Sequence, residues 1–247
     1  LRGKGYQSIA IGTGFPAFRF EGFDLVYTLK EGVNLFEGLV LEGFPISEDN
    51  YNASLFDQRA DQLQFGFDTI STLAKPTSSP RFVFAHILAP HPPFVFDSKG
   101  NRTQLEPGFS YSDGSDYITD GPSRAMYRKG FAEQLQWVDD KVERTIRDIK
   151  RNQKRPAVII VMGDHGSKVG HSQVSLEATD LQEVFPILFA YSLPPGFPAP
   201  KGRTPLELLA PVFDQILGAG FSRPASGSWY SPKSDPRRLT DVTKHVK

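Results

Sequence analysis

Cysteine is absent from this 247-residue sequence, and no stretch approaches eighteen consecutive apolar residues. Without cysteine there is neither a disulfide nor a thiolate ligand, so any bound metal ion must be held by oxygen and nitrogen. Without a long apolar run, this chain itself has no membrane-spanning helix. The N-terminus begins at Leu1 and lacks the basic-then-apolar pattern of a signal peptide. We therefore expect a piece of a larger protein.

An excess of either charge is also absent, since 28 basic residues balance 28 acidic ones. This balance gives no electrostatic attraction for nucleic acid, and we expect no nucleic-acid partner. The length suits one domain or a large part of one. We predict an α/β domain over residues 1–220, followed by a loop-like extension over residues 221–247.

The hydrophobic pattern predicts strands that alternate with helices. The alternation is typical of an α/β sandwich with a mostly parallel central sheet flanked by helices. A polar stretch over residues 97–122 has the length of a lid or binding loop. A capping box with proline at the first helical position, Thr204-Pro205-Leu206-Glu207, starts the last helix. The predicted strands are 7–12, 24–29, 81–89, 157–165 and 184–192, and the predicted helices are 33–41, 53–75, 123–152 and 204–217.

The apolar run 157–162 leads into Gly163-Asp164-His165-Gly166. A β-branched run without charge predicts a buried strand. Open α/β sheets build their sites at the carboxyl ends of parallel strands, and a carboxylate with an imidazole suits Zn²⁺ or Mn²⁺. The alternative is a helix cap at a strand–loop junction, where Asp is common and His incidental.

A second apolar strand leads into Pro90-His91-Pro92-Pro93, where prolines fix the backbone around one imidazole. If this strand is a parallel neighbour of strand 157–165, His91 and His165 reach the same rim of the sheet. The alternative is a rigid turn that merely contains a histidine. We favour a preorganised group that orients a substrate.

The sequence allows two interpretations for each of two further histidines. His86 lies inside the strand before His91, where a hydrogen-bonded core histidine is at least as plausible as a functional one. His171 lies six residues beyond His165, where contact with a substrate and simple exposure to solvent are equally plausible.

Together these motifs resemble the sulfatase-like branch of the alkaline phosphatase superfamily. Val158–Gly166 looks like its distal metal-binding motif. Phe84–Phe94 resembles the histidine motif of the membrane-anchored phosphoethanolamine transferases and lipoteichoic acid synthases. The segment 179–194 is similar to the one that follows the metal motif in bacterial sulfatase-like membrane proteins. The resemblance spans most of residues 1–243 and implies an alkaline-phosphatase-like sandwich.

The resemblance also implies roles for individual residues. Asp164 and His165 would be ligands of a divalent metal ion, which can be Zn, Mn, Ca or Mg. His91 would contact the phosphate or sulfate group or the leaving oxygen. His86 matches a second histidine of some members, and His171 lies where a further histidine occurs, so both are candidate substrate contacts.

Family members place the first metal carboxylate and a Thr, Ser or formylglycine nucleophile further upstream, and here both would precede Leu1. We therefore expect the C-terminal part of the catalytic domain of a metal-dependent hydrolase or transferase. Its substrates would be small-molecule, lipid or glycan esters of sulfate or phosphate, and this piece alone would be inactive. The resemblance places it at the periplasmic or extracellular face of the bacterial inner membrane, with membrane association only through segments outside this chain. The alternatives are a non-catalytic sulfatase-like binding or scaffold module and a plain α/β domain with structural histidines.

Overall fold

The computed structural model describes residues 1–14, 20–29, 48–104, 124–221 and 226–246. It forms two compact units, Leu1–Lys154 and Arg155–Lys247, which are described separately below. The predicted helix over 33–41 and most of the polar stretch 97–122 lie outside the described residues. Within those residues, no helix combines the length and the hydropathy that crossing a bilayer requires. The domain boundary after residue 220 stays a prediction.

The first unit contains a parallel three-stranded sheet of β1 (Gln7–Ile11), β2 (Leu25–Tyr27) and β3 (Arg81–Ala85), with β1 at its centre. In register, Ile9 of β1 lies beside Leu25 of β2 and Val83 of β3. From Ser8 onward β1 is buried because both of its edges are paired, whereas β2 is exposed. The predicted mixed α/β fold with a parallel sheet and flanking helices is confirmed. A short 3₁₀ helix over Arg2–Lys4 precedes β1.

The starts of β1 and β2 are joined through the carboxylate of Asp24. Its Oδ2 accepts hydrogen bonds from both the backbone N–H and the hydroxyl of Ser8, each at 2.7 Å. Its Oδ1 accepts a hydrogen bond from Nε of Arg2 at 2.7 Å. These bonds, chiefly those from Ser8, lower the pKa of Asp24 from its ordinary value of 3.8 to about 2.

Two long helices, α1 (Glu48–Leu73) and α2 (Arg124–Asn152), supply five of the seven residues of a buried cluster in the first unit. Apolar side chains of α1 at steps of four and three are buried, namely Phe56, Ala60, Leu63 and Phe67. Trp137 of α2 stacks on Phe96 with ring centroids 4.0 Å apart and meets Phe67 edge-on at 5.6 Å. The buried cluster comprises Phe56, Ala60, Leu63, Phe67, Val95, Phe96 and Trp137.

The second unit has two antiparallel strand pairs. In one, β4 (Ile159–Met162) pairs with β5 (Phe189–Ser192), and in the other, β6 (Trp229–Tyr230) pairs with β7 (Thr240–Asp241). β4 is half-buried rather than buried as predicted, because its pairing partner among the described strands is β5 alone. The predicted strand 184–192 forms only from Phe189 onward, since Asp180 caps a short helix that continues to Val184. The helices are α3 (Leu181–Val184) and α4 (Pro205–Leu217).

The predicted capping box at the start of α4 is confirmed. The Thr204 hydroxyl accepts a hydrogen bond from the backbone N–H of Glu207, and the Glu207 carboxylate accepts one from the backbone N–H of Thr204. The same carboxylate also accepts a hydrogen bond from the hydroxyl of Ser226. The prediction that the chain beyond Gly218 is loop-like was incomplete, because this part contains the β6–β7 pair and is bonded to the start of α4.

Candidate functional site

Asp164 and His165 lie in a tight turn directly after β4. The backbone N–H of His165 donates a hydrogen bond to Oδ1 of Asp164 at 3.0 Å. Each end of the turn is bonded to the segment before β5, since Gly163 N donates to the carbonyl of Leu188 at 3.0 Å and Gly166 N donates to that of Val184 at 2.7 Å. The β4–β5 pair therefore fixes the backbone positions of Asp164 and His165.

The ring of His165 has a defined tautomer. Its Nδ1 lies 2.7 Å from the carbonyl oxygen of Gly166, and a carbonyl oxygen can only accept. Nδ1 therefore carries the hydrogen, and Nε2 of the neutral ring carries the lone pair. Histidines that bind metal ions are commonly oriented in this way, with one ring N–H donated to a carbonyl or carboxylate.

The donor atoms of Asp164 and His165 fit a single divalent ion. Nε2 of His165 lies 3.8 Å from Oδ2 of Asp164, and both side chains reach solvent, being 41% and 73% exposed respectively. Two ligands of one zinc ion lie at most about 4.2 Å apart, twice a ligand distance of about 2.1 Å. In the part of the chain that the structure describes, no group of three His, Asp or Glu side chains could hold a metal ion. The pair could therefore supply two ligands of a metal ion, and a complete set is not present in that part of the chain.

His91 lies in the turn after β3, between the cis peptide bonds Ala89–Pro90 and Pro92–Pro93. Its Nδ1 lies 2.5 Å from the carbonyl oxygen of Pro92, so Nδ1 again carries the hydrogen. The rigid setting predicted for this imidazole is therefore observed, while its role in binding stays a prediction.

The fully buried amide of Gln134 in α2 fixes the same turn. Its Oε1 accepts hydrogen bonds from the backbone N–H groups of Val95 at 2.7 Å and Phe96 at 3.3 Å. Its Nε2 donates to the carbonyl of His91 at 3.3 Å. One side chain therefore connects both ends of the turn to α2.

His86 and His171 are both half-buried. His86 follows β3, and its backbone N–H donates to the carbonyl of Ile11 at 3.3 Å, which extends the parallel ladder by one bond. The backbone N–H of His171 donates to the carbonyl of Lys168 at 3.1 Å.

The predicted site residues fall in different compact units. His86 and His91 belong to the first unit, and Asp164, His165 and His171 belong to the second. β3 pairs with β1, and β4 pairs with β5. The predicted parallel pairing of the two histidine-bearing strands therefore stays a prediction.

The sequence model of the Sulfatase family matches residues 1–185, well over half of the chain. This chain belongs to the sulfatase family. No curated protein and no solved structure matches it. Sulfatases act on sulfate esters of small molecules and glycans and are generally metal-dependent. The predicted membership of the sulfatase-like branch is confirmed, and this membership supports a hydrolase-type, sulfatase-like activity.

The two glycines around Asp164-His165 have different roles in this sulfatase-family chain. A Cβ atom at Gly166 would lie 2.9 Å from the carbonyl oxygen of Val184 and 3.0 Å from that of Pro186. A Cβ atom at Gly163 would meet no atom closer than 3.7 Å. The second glycine is therefore required by the close approach of backbone, whereas the first is not.

Sequence reasoning missed two side chains that hold the sulfatase histidines in place. Gln134 lies on a long helix, and its polar side chain is fully buried. Tyr230 was expected only as an anchor in a loop, and its hydroxyl donates to the carbonyl of Ser172, next to His171. Neither residue has a signal in the sequence, because the backbone groups that they contact are 43 and 58 positions away.

Proposed function

We propose that this sulfatase-family chain carries part of a metal-dependent site that acts on sulfate or phosphate esters, by hydrolysis or by transfer to an acceptor. The observation that carries the proposal is the Asp164–His165 pair, with Oδ2 and Nε2 3.8 Å apart and exposed to solvent. The lone pair on Nε2 follows from the bond between Nδ1 and Gly166. Family membership supports the ester chemistry.

Asp164 and His165 would bind the ion through Oδ2 and Nε2. A bound divalent ion supplies positive charge that stabilises the negative charge developing on the ester oxygens. The hydrogen bond from His165 N–H to Oδ1 turns Oδ2 toward the ring, and the Gly166 carbonyl selects the tautomer of the neutral ring whose Nε2 carries the lone pair. These contacts preorganise both donors before the ion arrives.

The proposal extends to His91 as a group that contacts the sulfate or phosphate group. Its ring is oriented by the contact of Nδ1 with the Pro92 carbonyl, and the contact with the ester group would be made through the other ring nitrogen, Nε2. A protonated ring would donate a hydrogen bond from Nε2 to an ester oxygen. His86 and His171 are proposed as further contacts of the same group.

A metal titration of the full-length protein tests the proposal. We expect Mn²⁺ or Zn²⁺ affinity, measured by calorimetry, to fall about tenfold or more in Asp164→Ala and in His165→Ala. Asp235→Ala and His245→Ala remove the same side-chain types from exposed positions of the same unit and serve as matched controls. Unchanged stoichiometry and affinity in both site variants would contradict the metal assignment.

Two further assays address the finer parts of the proposal. Turnover of an aryl sulfate compared with an aryl phosphate identifies the ester class, and metal binding without turnover of either supports the non-catalytic alternative. The proposed location at the periplasmic or extracellular face of the bacterial inner membrane is tested by protease digestion of spheroplasts, whose inner membrane is intact. Digestion only after the inner membrane is broken would contradict that location.

A further inference from the structure

The C-terminal strand pair is bonded to the loop that carries His171. We call residues 166–180, between the metal-ligand pair and α3, the histidine loop. The hydroxyl of Tyr230 donates to the carbonyl of Ser172 at 2.9 Å, and the backbone N–H of Lys233 donates to the carbonyl of Gln173 at 2.8 Å. These two acceptors directly follow His171 in the sequence.

Hydrogen bonds between residues of the histidine loop also hold its backbone. The hydroxyl of Thr179 accepts a hydrogen bond from the backbone N–H of Ser172 at 3.1 Å and lies 2.9 Å from the carbonyl of Ser175. The backbone N–H of Asp180 donates to the carbonyl of Gly170 at 2.7 Å. The residues on both sides of His171 therefore have bonded backbones, so the starting point of its side chain is fixed.

Tyr230 is suited to maintain this arrangement. Only 6% of its surface is exposed, and it lies opposite Thr240 in the β6–β7 pair. Its ring is packed while its hydroxyl reaches a backbone acceptor, which is how buried tyrosines are usually satisfied. Loss of the hydroxyl would remove the donor that the C-terminal segment offers to Ser172.

We propose that Tyr230 is a positioning residue for His171, which through the Ser172 carbonyl holds that imidazole for contact with the sulfate or phosphate group. The part of this statement that concerns the ester group rests on the proposed function. The part that concerns the position of the ring stands on the hydrogen bonds of the second unit alone.

The first test does not require turnover. We expect the imidazole NMR signals of His171 to shift and broaden in Tyr230→Phe, because the loop gains freedom. Tyr191→Phe is the matched control, since Tyr191 lies in β5 of the same unit and is 45% exposed. A His171 ring whose signals are the same in Tyr230→Phe and in the wild type would overturn the proposal.

The second test is a double-mutant cycle on kcat/KM in the full-length protein, measured with whichever of an aryl sulfate and an aryl phosphate is turned over. One lost hydrogen bond corresponds to a decrease of about 2- to 10-fold in Tyr230→Phe. If Tyr230 acts through His171, it has no further effect in a His171→Ala background. An equal effect in both backgrounds shows a merely structural role and overturns the proposal. If turnover is absent altogether, the proposed function fails, while the NMR test still decides whether Tyr230 positions the ring.

Discussion

The backbone N–H of Gly166 donates a hydrogen bond to the carbonyl oxygen of Val184 at 2.7 Å. This bond brings the turn with Asp164 and His165 against the backbone of residues 183–186 so closely that a methyl group does not fit. Gly163, at the other end of the same turn, has open space. Alanine substitutions at the two glycines of the motif therefore compare a position where a methyl group does not fit with one where it does.

We expect Gly166→Ala to lower the free energy of unfolding by about 1–3 kcal/mol, because the added methyl group must push backbone aside. Gly163→Ala should change that free energy by no more than about 0.5 kcal/mol. Urea denaturation of both variants measures the difference. Equal losses in the two variants would show that the close approach at Gly166 is not the cause.

A second comparison is possible between two helical glycines, Gly66 and Gly130, which face side chains of the segment around His91. A Cβ atom at Gly130 would lie 2.8 Å from Cγ of Phe94, whereas one at Gly66 would meet Ile87 at 3.4 Å. In Gly130→Ala, overpacking of about 1–3 kcal/mol exceeds the gain of about 1 kcal/mol in helix propensity. We expect Gly66→Ala to be stabilising by up to about 1 kcal/mol, as measured by chemical denaturation. Stabilisation in both variants would contradict the packing of Phe94 against α2.

Gln134 is predicted to be a strong determinant of stability despite its polar side chain. In Gln134→Ala, the buried N–H of Val95 loses its acceptor, which costs about 1–3 kcal/mol. Gln136→Ala removes the same side chain from an exposed position of the same helix and should change stability by less than about 0.5 kcal/mol. Thermal unfolding distinguishes the two, and similar melting temperatures would refute the assigned role.

The lowered pKa of Asp24 predicts a pH dependence with a defined sign. Because the folded pKa of about 2 lies below the ordinary value of 3.8, ionised Asp24 stabilises the folded state above pH 3.8. This stabilisation is lost as the pH falls from 3.8 through 2. Asp24→Asn should therefore be less stable than the wild type at neutral pH, with a difference that shrinks between pH 4 and pH 2. A difference independent of pH in urea titrations would contradict this origin.

The sequence predicts best where a local rule is sufficient. The ends of α2 agree with the prediction to within about one residue, because a long periodic segment is the most secure kind of signal. The capping box at Thr204 and Glu207 needs only its own four residues. Asp164 and His165 were predicted as a pair because they are adjacent and follow an apolar strand.

Long-range contacts explain what the sequence could not predict. The apolar side chains of α2 at helical spacing are largely half-buried, and its buried side chains include Gln134 and Thr145. A polar residue can face inward only when its partner is in place, and the partner of Gln134 is a turn 39 positions away. The strands β6 and β7 have two residues each, too few for any periodicity to be visible.

The hydrogen bonds made by residues 226–246 limit how far this protein can be shortened for expression. A version that ends at residue 220 would lose the donors to Ser172 and Gln173, and also the hydroxyl that Ser226 offers to Glu207. It would lose the carbonyl groups of His245 and Val246, which accept hydrogen bonds from Gln182 and Arg203. The trimmed protein would therefore lose hydrogen-bond partners on three separate segments at once, so a shortened version should keep residues 226–246.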